Sequence, residues 1–301
     1  MKRSGASDLL HAASIKKVPW WRVYCGDAAN VAARQDKDSI NCIVTSPPYF
    51  WQRDYGVAGQ IGVEPTVAGY VGKIVEVFRE IRPALRGDGV VFLNLGDGYY
   101  NKKGRPHGRD AKHTARDLAR DQLRAVDGPG LGYPRKTLLG IPWRVALAMV
   151  DDGWTLRSEI IWVRRNAMPE PTALDRPWRH HEQIFMFSKS PRYYFDRTAV
   201  GAEEDVWLIN PERSGATRGL HYAPYPEELV RRCVAMGCPA GGTVLDPFAG
   251  GGTTLSVAND LGMNAIGFDL NPDFCELMAA RLSGSLANGS ATKAPRIAVA
   301  S

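Results

Sequence analysis

The chain has 301 residues, 44% of them hydrophobic, and a formal net charge of +6. That is enough to bury one large α/β core, with or without an insertion. It contains no apolar run of transmembrane length, and its first twenty residues are polar and basic rather than a secretory leader, so a cytoplasmic protein is expected. Five widely spaced cysteines with no Cys-x-x-Cys pair exclude a disulfide framework or zinc finger, and Cys42 and Cys275 sit in apolar patterns as core thiols. His180-His181 lacks further ligands at fixed spacing and reads as a polar loop rather than a metal site.

Residues 1–20 form a basic arm without periodicity. Trp21 to Asp27 reads as a strand, with a short helix from Ala28 to Arg34 after it. Asp27 at that strand's tip can accept a hydrogen bond from a ligand amine or cap the helix. The apolar run Ile40–Val44 is a buried strand, and it ends in Thr45-Ser46-Pro47-Pro48-Tyr49-Phe50. Two consecutive prolines stop any regular element and leave a stiff loop. Ser46 and the Pro47 carbonyl there offer acceptors to an amino group, and Tyr49 offers a ring to stack on. Trp51–Pro65 is an aromatic, glycine-rich segment able to close over a substrate.

Apolar residues at Val67, Tyr70, Val71, Ile74, Val75, Phe78, Ile81 and Leu85 predict a helix over 66–85, ended by Arg86-Gly87-Asp88-Gly89 and followed by a strand over Val90–Leu95. Residues 100–136 then hold ten Lys/Arg against four Asp, the whole of the chain's surplus charge. Lys102, Lys103 and Arg105 lie in a loop. Lys112, Arg116, Arg120 and Arg124 recur every four residues, so a helix would carry them as one row. The row suits phosphate contact, although Asp117 and Asp121 beside it also fit a merely solvated face. A helix over Ile141–Val150 and a strand over Trp154–Val163 come next. Gln183–Phe187 and Tyr193–Phe195 read as an antiparallel pair, 200–226 as a connector, and Pro226–Gly237 as a helix.

A second motif lies at Val244-Leu245-Asp246-Pro247-Phe248-Ala249-Gly250-Gly251-Gly252-Thr253-Thr254, a strand, a glycine loop and a helix start. Glycines let backbone approach a ligand, and the helix start offers free N–H groups. The strand Asn264–Asn271 carries Asp269 near its tip, at the spacing of a ribose-binding carboxylate, with Asn271 just beyond. Asp246 beside the loop suits a cationic amino-acid end. A dinucleotide is disfavoured, since the loop is not G-x-G-x-x-G and no second mononucleotide half follows.

Ser46-Pro47-Pro48-Tyr49 and Asp246-Pro247-Phe248-x-Gly250-x-Gly252-Thr253 together resemble the catalytic and donor-binding motifs of the DNA methyltransferases that modify exocyclic nitrogens of cytosine or adenine. Asn166, Pro169, Arg176, Pro177, His181 and Glu182 resemble that family's later features. The catalytic motif precedes the donor motif, the family's permuted beta order. The resemblance covers about residues 21–283, leaving the arm and a Ser/Ala/Gly-rich tail, 284–301, outside as unstructured ends. It implies a Rossmann-like, circularly permuted α/β fold with a mostly parallel sheet and S-adenosyl-L-methionine as cofactor. It further implies duplex DNA with a flipped target base as substrate, and a cognate restriction endonuclease as a candidate partner; no membrane or metal is called for. Asp27 would then lie near the donor's adenine, and the element 221–226 near its methionine end. The short connector 196–221 departs from members that carry a long recognition domain there, so the 100–136 insertion becomes the candidate DNA-holding segment. Ser46, where many adenine enzymes carry Asp, favours N4 of cytosine over N6 of adenine. Carbon-5 methylation would need a Pro-Cys pair, which the chain lacks. An NAD-type oxidoreductase and a non-catalytic DNA-binding protein stand as rivals.

Overall fold

The computed structural model describes residues 18–100, 130–166, 170, 173–211 and 225–284, with short strands at 105–106, 125–126 and 297–299. Its framework is a sheet built from β1 (Trp21–Cys25), β2 (Ile40–Thr45), β3 (Leu85–Leu95), β6 (Thr155–Arg164), β7 (His181–Ser188), β8 (Val206–Ile209), β9 (Thr243–Asp246), β10 (Asn264–Asp269) and β11 (Ile297–Val299). The strand order is β11-β1-β10-β9-β2-β3-β7-β6-β8, while β4 (Arg105–Pro106) and β5 (Ala125–Val126) pair separately. Only β7 runs against its neighbours, β3 and β6; every other pairing in the sheet is parallel.

Period-two alternation divides the core between the two faces. Ile43, Val91, Leu93, Phe185 and Phe187 point to the side covered by α1 (Ala28–Ala32), α2 (Val67–Ile81) and α3 (Ile141–Asp151). Cys42, Val44, Val90, Phe92, Ile184 and Met186 point to α4 (Glu227–Gly237), α5 (Thr253–Asp260) and α6 (Pro272–Leu282). A parallel strand covered on both faces needs apolar residues at nearly every position, which is why β2 reads Ile-Asn-Cys-Ile-Val-Thr. This is the mostly parallel α/β architecture expected from the sequence. All five cysteines are free thiols, four of them buried, Cys42 and Cys275 included.

Four expectations need correction. Helix α2 stops at Ile81 instead of reaching Leu85, because Pro83 cannot donate to the helical ladder and its ring crowds the preceding turn. Leu85 instead opens β3 and pairs with Ile40, and the ladder shifts register before Cys42 meets Val90. Tyr193–Phe195 is not a hairpin partner of β7: Tyr194 N–H donates to the Asp88 carbonyl at 2.8 Å, and Asp196 N–H to Met236 at 2.9 Å. The segment thus spans from β3 to α4, and the antiparallel partners of β7 are β3 and β6. The connector holds strand β8, whose Trp207 and Ile209 are buried while Val206 and Leu208 face outward. Finally, Ile297–Val299 inside the tail pairs in parallel with β1.

Candidate active site

β2 and β9 run parallel, but the order in which successive strands are added reverses between them. From β2 the chain crosses by α2 to β3 on one side, and from β9 by α5 to β10 on the other. At such a switch point the loops leaving the carboxyl ends diverge and open a crevice. The loops here are Ser46-Pro47-Pro48-Tyr49 and Pro247-Phe248-Ala249-Gly250, distant in the chain but held together by the strands beneath them. Pairing of Cys42 with Val244 and Ile43 with Leu245 sets the register, and Thr45 Oγ1 donates to Asp246 Oδ1 at 2.6 Å. A cavity of about 380 Å³ lies above, with both loops in its wall.

Asp246 sits under that cavity. It is 1% exposed, and its carboxylate accepts from Thr45, from Thr254 Oγ1 at 2.5 Å, from Tyr225 O–H at 3.0 Å and from Phe248 N–H at 3.0 Å. Burial raises its pKa, and the hydroxyl and N–H donors counter that in part. With four donors the carboxylate is saturated. In the structure it forms a clamp that ties β2, β9, α5 and Tyr225 together beneath the residues lining the cavity. Gly252 is likewise absent from the cavity wall: it holds φ 78° ahead of α5, where a Cβ would press to 2.8 Å from Met278 Cγ.

One end of the cavity is built around Tyr49. Its O–H donates to Glu182 Oε2 at 2.5 Å, while Asn94 Nδ2 donates to the Tyr49 oxygen at 2.9 Å and to Glu182 Oε2 at 3.0 Å. Arg164 faces the other Glu182 oxygen at 3.4 Å. Burial and the adjacent Glu182 carboxylate hold the phenol well above its ordinary pKa. Gly96 on the far side has no Cβ because one would stand 2.4 Å from Tyr49 Cε2. Tyr70 O–H donates to the Pro48 carbonyl at 2.8 Å and fixes the loop from α2. Ser46 is held more loosely, with its Oγ 3.3 Å from the Tyr49 oxygen and 3.4 Å from Asn94 Nδ2. The ring is thus pinned by its edge and hydroxyl, next to a hydroxyl whose own two hydrogen bonds are long.

The other end carries carboxylates and an aromatic face. Asp269 accepts from Gly250 N–H at 2.9 Å and Asn271 N–H at 2.8 Å, and its carboxylate keeps acceptor capacity for a ligand. Burial pushes its pKa to about 6, opposed by the Asn271 and Gly250 N–H groups and reinforced by Asp246. Asp27 caps α1 through Asn30 N–H at 3.0 Å and also lines the cavity, so both of its expected roles are geometrically open. The segment after Tyr49 folds over this end: Trp51 N–H donates to the Gly62 carbonyl at 2.8 Å, and Tyr55 meets the Phe274 ring edge-on at 6.4 Å.

Of the residues singled out from sequence, Ser46, Pro47, Pro48, Tyr49, Asp27, Pro247, Phe248, Gly250, Thr253, Asp269 and Asn271 line this one cavity. Lys102, Lys103, Lys112, Arg116, Arg120 and Arg124 lie outside the described residues, as does the Arg105 side chain. Asn94, Trp162 and Arg164 were not anticipated as cavity residues, Glu182 only as a family feature, and Tyr225 only as part of the element 221–226. Their signal was weak, because a polar residue near a strand's end becomes a site residue only once the strand order is known. Among the described residues no cluster of His, Cys, Asp and Glu could hold a metal ion, and no helix is long and apolar enough to cross a membrane.

Comparison with known proteins adds the following. The DNA methylase family of N6/N4 methyltransferases matches residues 40–280. The type II methyltransferase M.XycI of Xanthomonas campestris pv. cyanopsidis is 41% identical over 272 residues, covering 87% of this chain and 88% of that protein. M.Cfr9I of Citrobacter freundii is 40% identical over the same shares of each chain. Among solved structures, the cytosine-N4-specific PvuII DNA methyltransferase superposes with a TM-score of 0.65 at 19% identity, covering 91% of this chain and 96% of that one. TTHA0409 of Thermus thermophilus, complexed with S-adenosyl-L-methionine, gives 0.62 at 22% identity over 92% and 97%. At these identities the two structures speak for the fold.

Proposed function

We propose, for a chain that belongs to the N6/N4 DNA methylase family, transfer of a methyl group from S-adenosyl-L-methionine to the exocyclic N4 of cytosine at a specific DNA sequence. The observation that carries this reading is the loosely held Ser46 hydroxyl beside the pinned Tyr49 ring, in the cavity that also holds Asp269.

The residues fit the donor. The volume lies within the range of small-molecule sites. Asp269 has lone pairs open to ribose hydroxyls, the Phe274 and Leu270 side chains offer an apolar face to a purine, and Asp27 stands at the same end. Bound there, the donor supplies a methyl group already activated by a positive sulfonium. The chain's own task is then orientation, which can account for much of the acceleration in such a reaction. A cytosine extruded from the duplex stacks on Tyr49. The Pro47 carbonyl and Ser46 oxygen accept from its amino group and turn the nitrogen lone pair toward the donor. Ser46 can also donate to the neighbouring ring nitrogen, N3, which an ionised aspartate at that position could not do. A pyrimidine leaves room that a purine would fill. Glu182 and Asn94 hold the phenol and so keep the stacking ring from swinging.

By likeness to M.XycI and M.Cfr9I, the role is that of a type II modification enzyme, with an endonuclease of matching specificity as the natural partner. Lys102, Lys103, Arg105, Lys112, Arg116, Arg120 and Arg124 are the proposed phosphate contacts. The test is to methylate DNA with the purified protein, digest it to nucleosides and separate them by mass. N4-methyl-2′-deoxycytidine is the product expected; N6-methyl-2′-deoxyadenosine as the only modified product would overturn the assignment.

A further inference from the structure

The loop between β6 and β7 is rooted at both ends in the cavity wall, since Arg164 ends β6 and Glu182 lies at the start of β7. It therefore rises from the same edge of the sheet as the site, beside the end that holds Tyr49. Its described parts are cross-braced. Arg164 N–H donates to the His180 carbonyl at 2.7 Å and Arg164 Nη2 to the Arg179 carbonyl at 3.0 Å. Arg176 Nη1 donates to Glu170 Oε2 at 2.7 Å, and its guanidinium lies 3.8 Å over the Tyr99 ring. Lys136 pairs with Asp175. On this fixed base Leu174 is 92% exposed, and Trp178, four residues on, is 46% exposed. A lone exposed leucine on a slack surface loop would be unremarkable. An apolar side chain held out from an arginine-bearing loop whose two ends line the cavity has a use: duplex DNA docked over that cavity presents phosphates to the arginines and a base stack to the apolar tip.

We propose that Leu174 is the wedge that enters the base stack and fills the space left when the target nucleotide is extruded, with the neighbouring arginines aligned on the backbone. An apolar side chain inserted at a base step offsets part of the unstacking cost, and it slows collapse of the flipped base back into the duplex. This rests on the base-extrusion step of the proposed function, but not on which base is methylated.

The experiment is single-turnover methylation by the full chain of two duplexes carrying its own site, as mapped by modified-base sequencing. In one duplex the target base is normally paired; in the other it faces an abasic position, so that extrusion costs less. Leu174→Ala should slow transfer on the paired duplex by about tenfold or more and much less on the abasic one, because the wedge offsets part of the extrusion cost and that cost is lower for a base with no pairing partner. Leu174→Phe should stay near wild type on both. Equal rates for wild type and Leu174→Ala on the paired duplex, or equal slowing on the two duplexes, would overturn the assignment. Failure of the wild type to methylate either duplex would instead sink the functional reading itself.

Discussion

At the scale of single residues, the two motif aspartates have parted roles. Asp246 accepts four hydrogen bonds beneath the cavity, whereas Asp269 keeps acceptor capacity at its surface. Removing the Asp246 carboxylate strands the Thr45 hydroxyl and the Phe248 N–H, while Thr254 and Tyr225 keep each other and the Val44 carbonyl, at about 1–3 kcal/mol for each donor left unsatisfied. Asp246→Ala is therefore expected to cost roughly 3–5 kcal/mol of stability, read in urea unfolding, and to lose donor affinity only as a consequence. Asp269 gives a different signature. Its folded pKa of about 6 stands above the unfolded value near 3.8, so the folded state holds the extra proton between those limits and that group's contribution to stability declines as pH rises through them. Ribose hydroxyls donating to the ionised carboxylate pull the pKa back down. Donor affinity should then be full above pH 6 and fall below it, with a proton released on binding. Calorimetry at pH 6 in two buffers of different ionisation heat would reveal that proton, and identical heats would remove Asp269 from the ribose.

At the scale of elements, the site depends on how strand ends meet. Gly96, just past β3, gives Tyr49 its place. A Gly96→Ala change would drive the ring aside by the order of an ångström, and misplacement of that size costs about 100-fold in rate. Single-turnover methylation should show that loss while calorimetry finds the donor bound as before. A comparable loss of donor affinity would mean that the loop as a whole had collapsed. The elements that make the site were largely legible: β2, β9 and β10 are short apolar runs closed by turn residues, and α2 carries an unbroken apolar stripe. Less visible were β8, four residues with only two buried, and the end of α2, where one proline outweighs a pattern that continues to Leu85. The Asn94–Tyr49–Glu182 cluster could not be read at all. It depends on β7 lying between β3 and β6, an adjacency that no local sequence pattern encodes.

At the scale of the whole molecule, charge and chemistry are assigned to different segments. The surplus of +6 lies wholly within residues 100–136, and the rest of the chain is electrically balanced. The end of the cavity away from Tyr49, where the donor is proposed to bind, is lined instead by carboxylates, from Asp27 and Asp269. A protein that must hold a polyanion and a cationic cofactor at once gains from that separation, since each site then repels the other's ligand. The insertion should accordingly govern DNA affinity without touching donor affinity. Replacing Lys112, Arg116, Arg120 and Arg124 by Gln removes up to four phosphate contacts, and each true contact lowers the slope of log affinity against log salt by about one. The altered protein should bind S-adenosyl-L-methionine as the parent does while losing most of its DNA affinity at low salt, where counterion release contributes most. Titration of labelled duplex across a salt series measures that slope directly. An unchanged slope would make the row a solvated face and move the DNA surface to the arginines of the β6–β7 loop, Arg164 in the cavity wall and Arg176 and Arg179 further along the same loop.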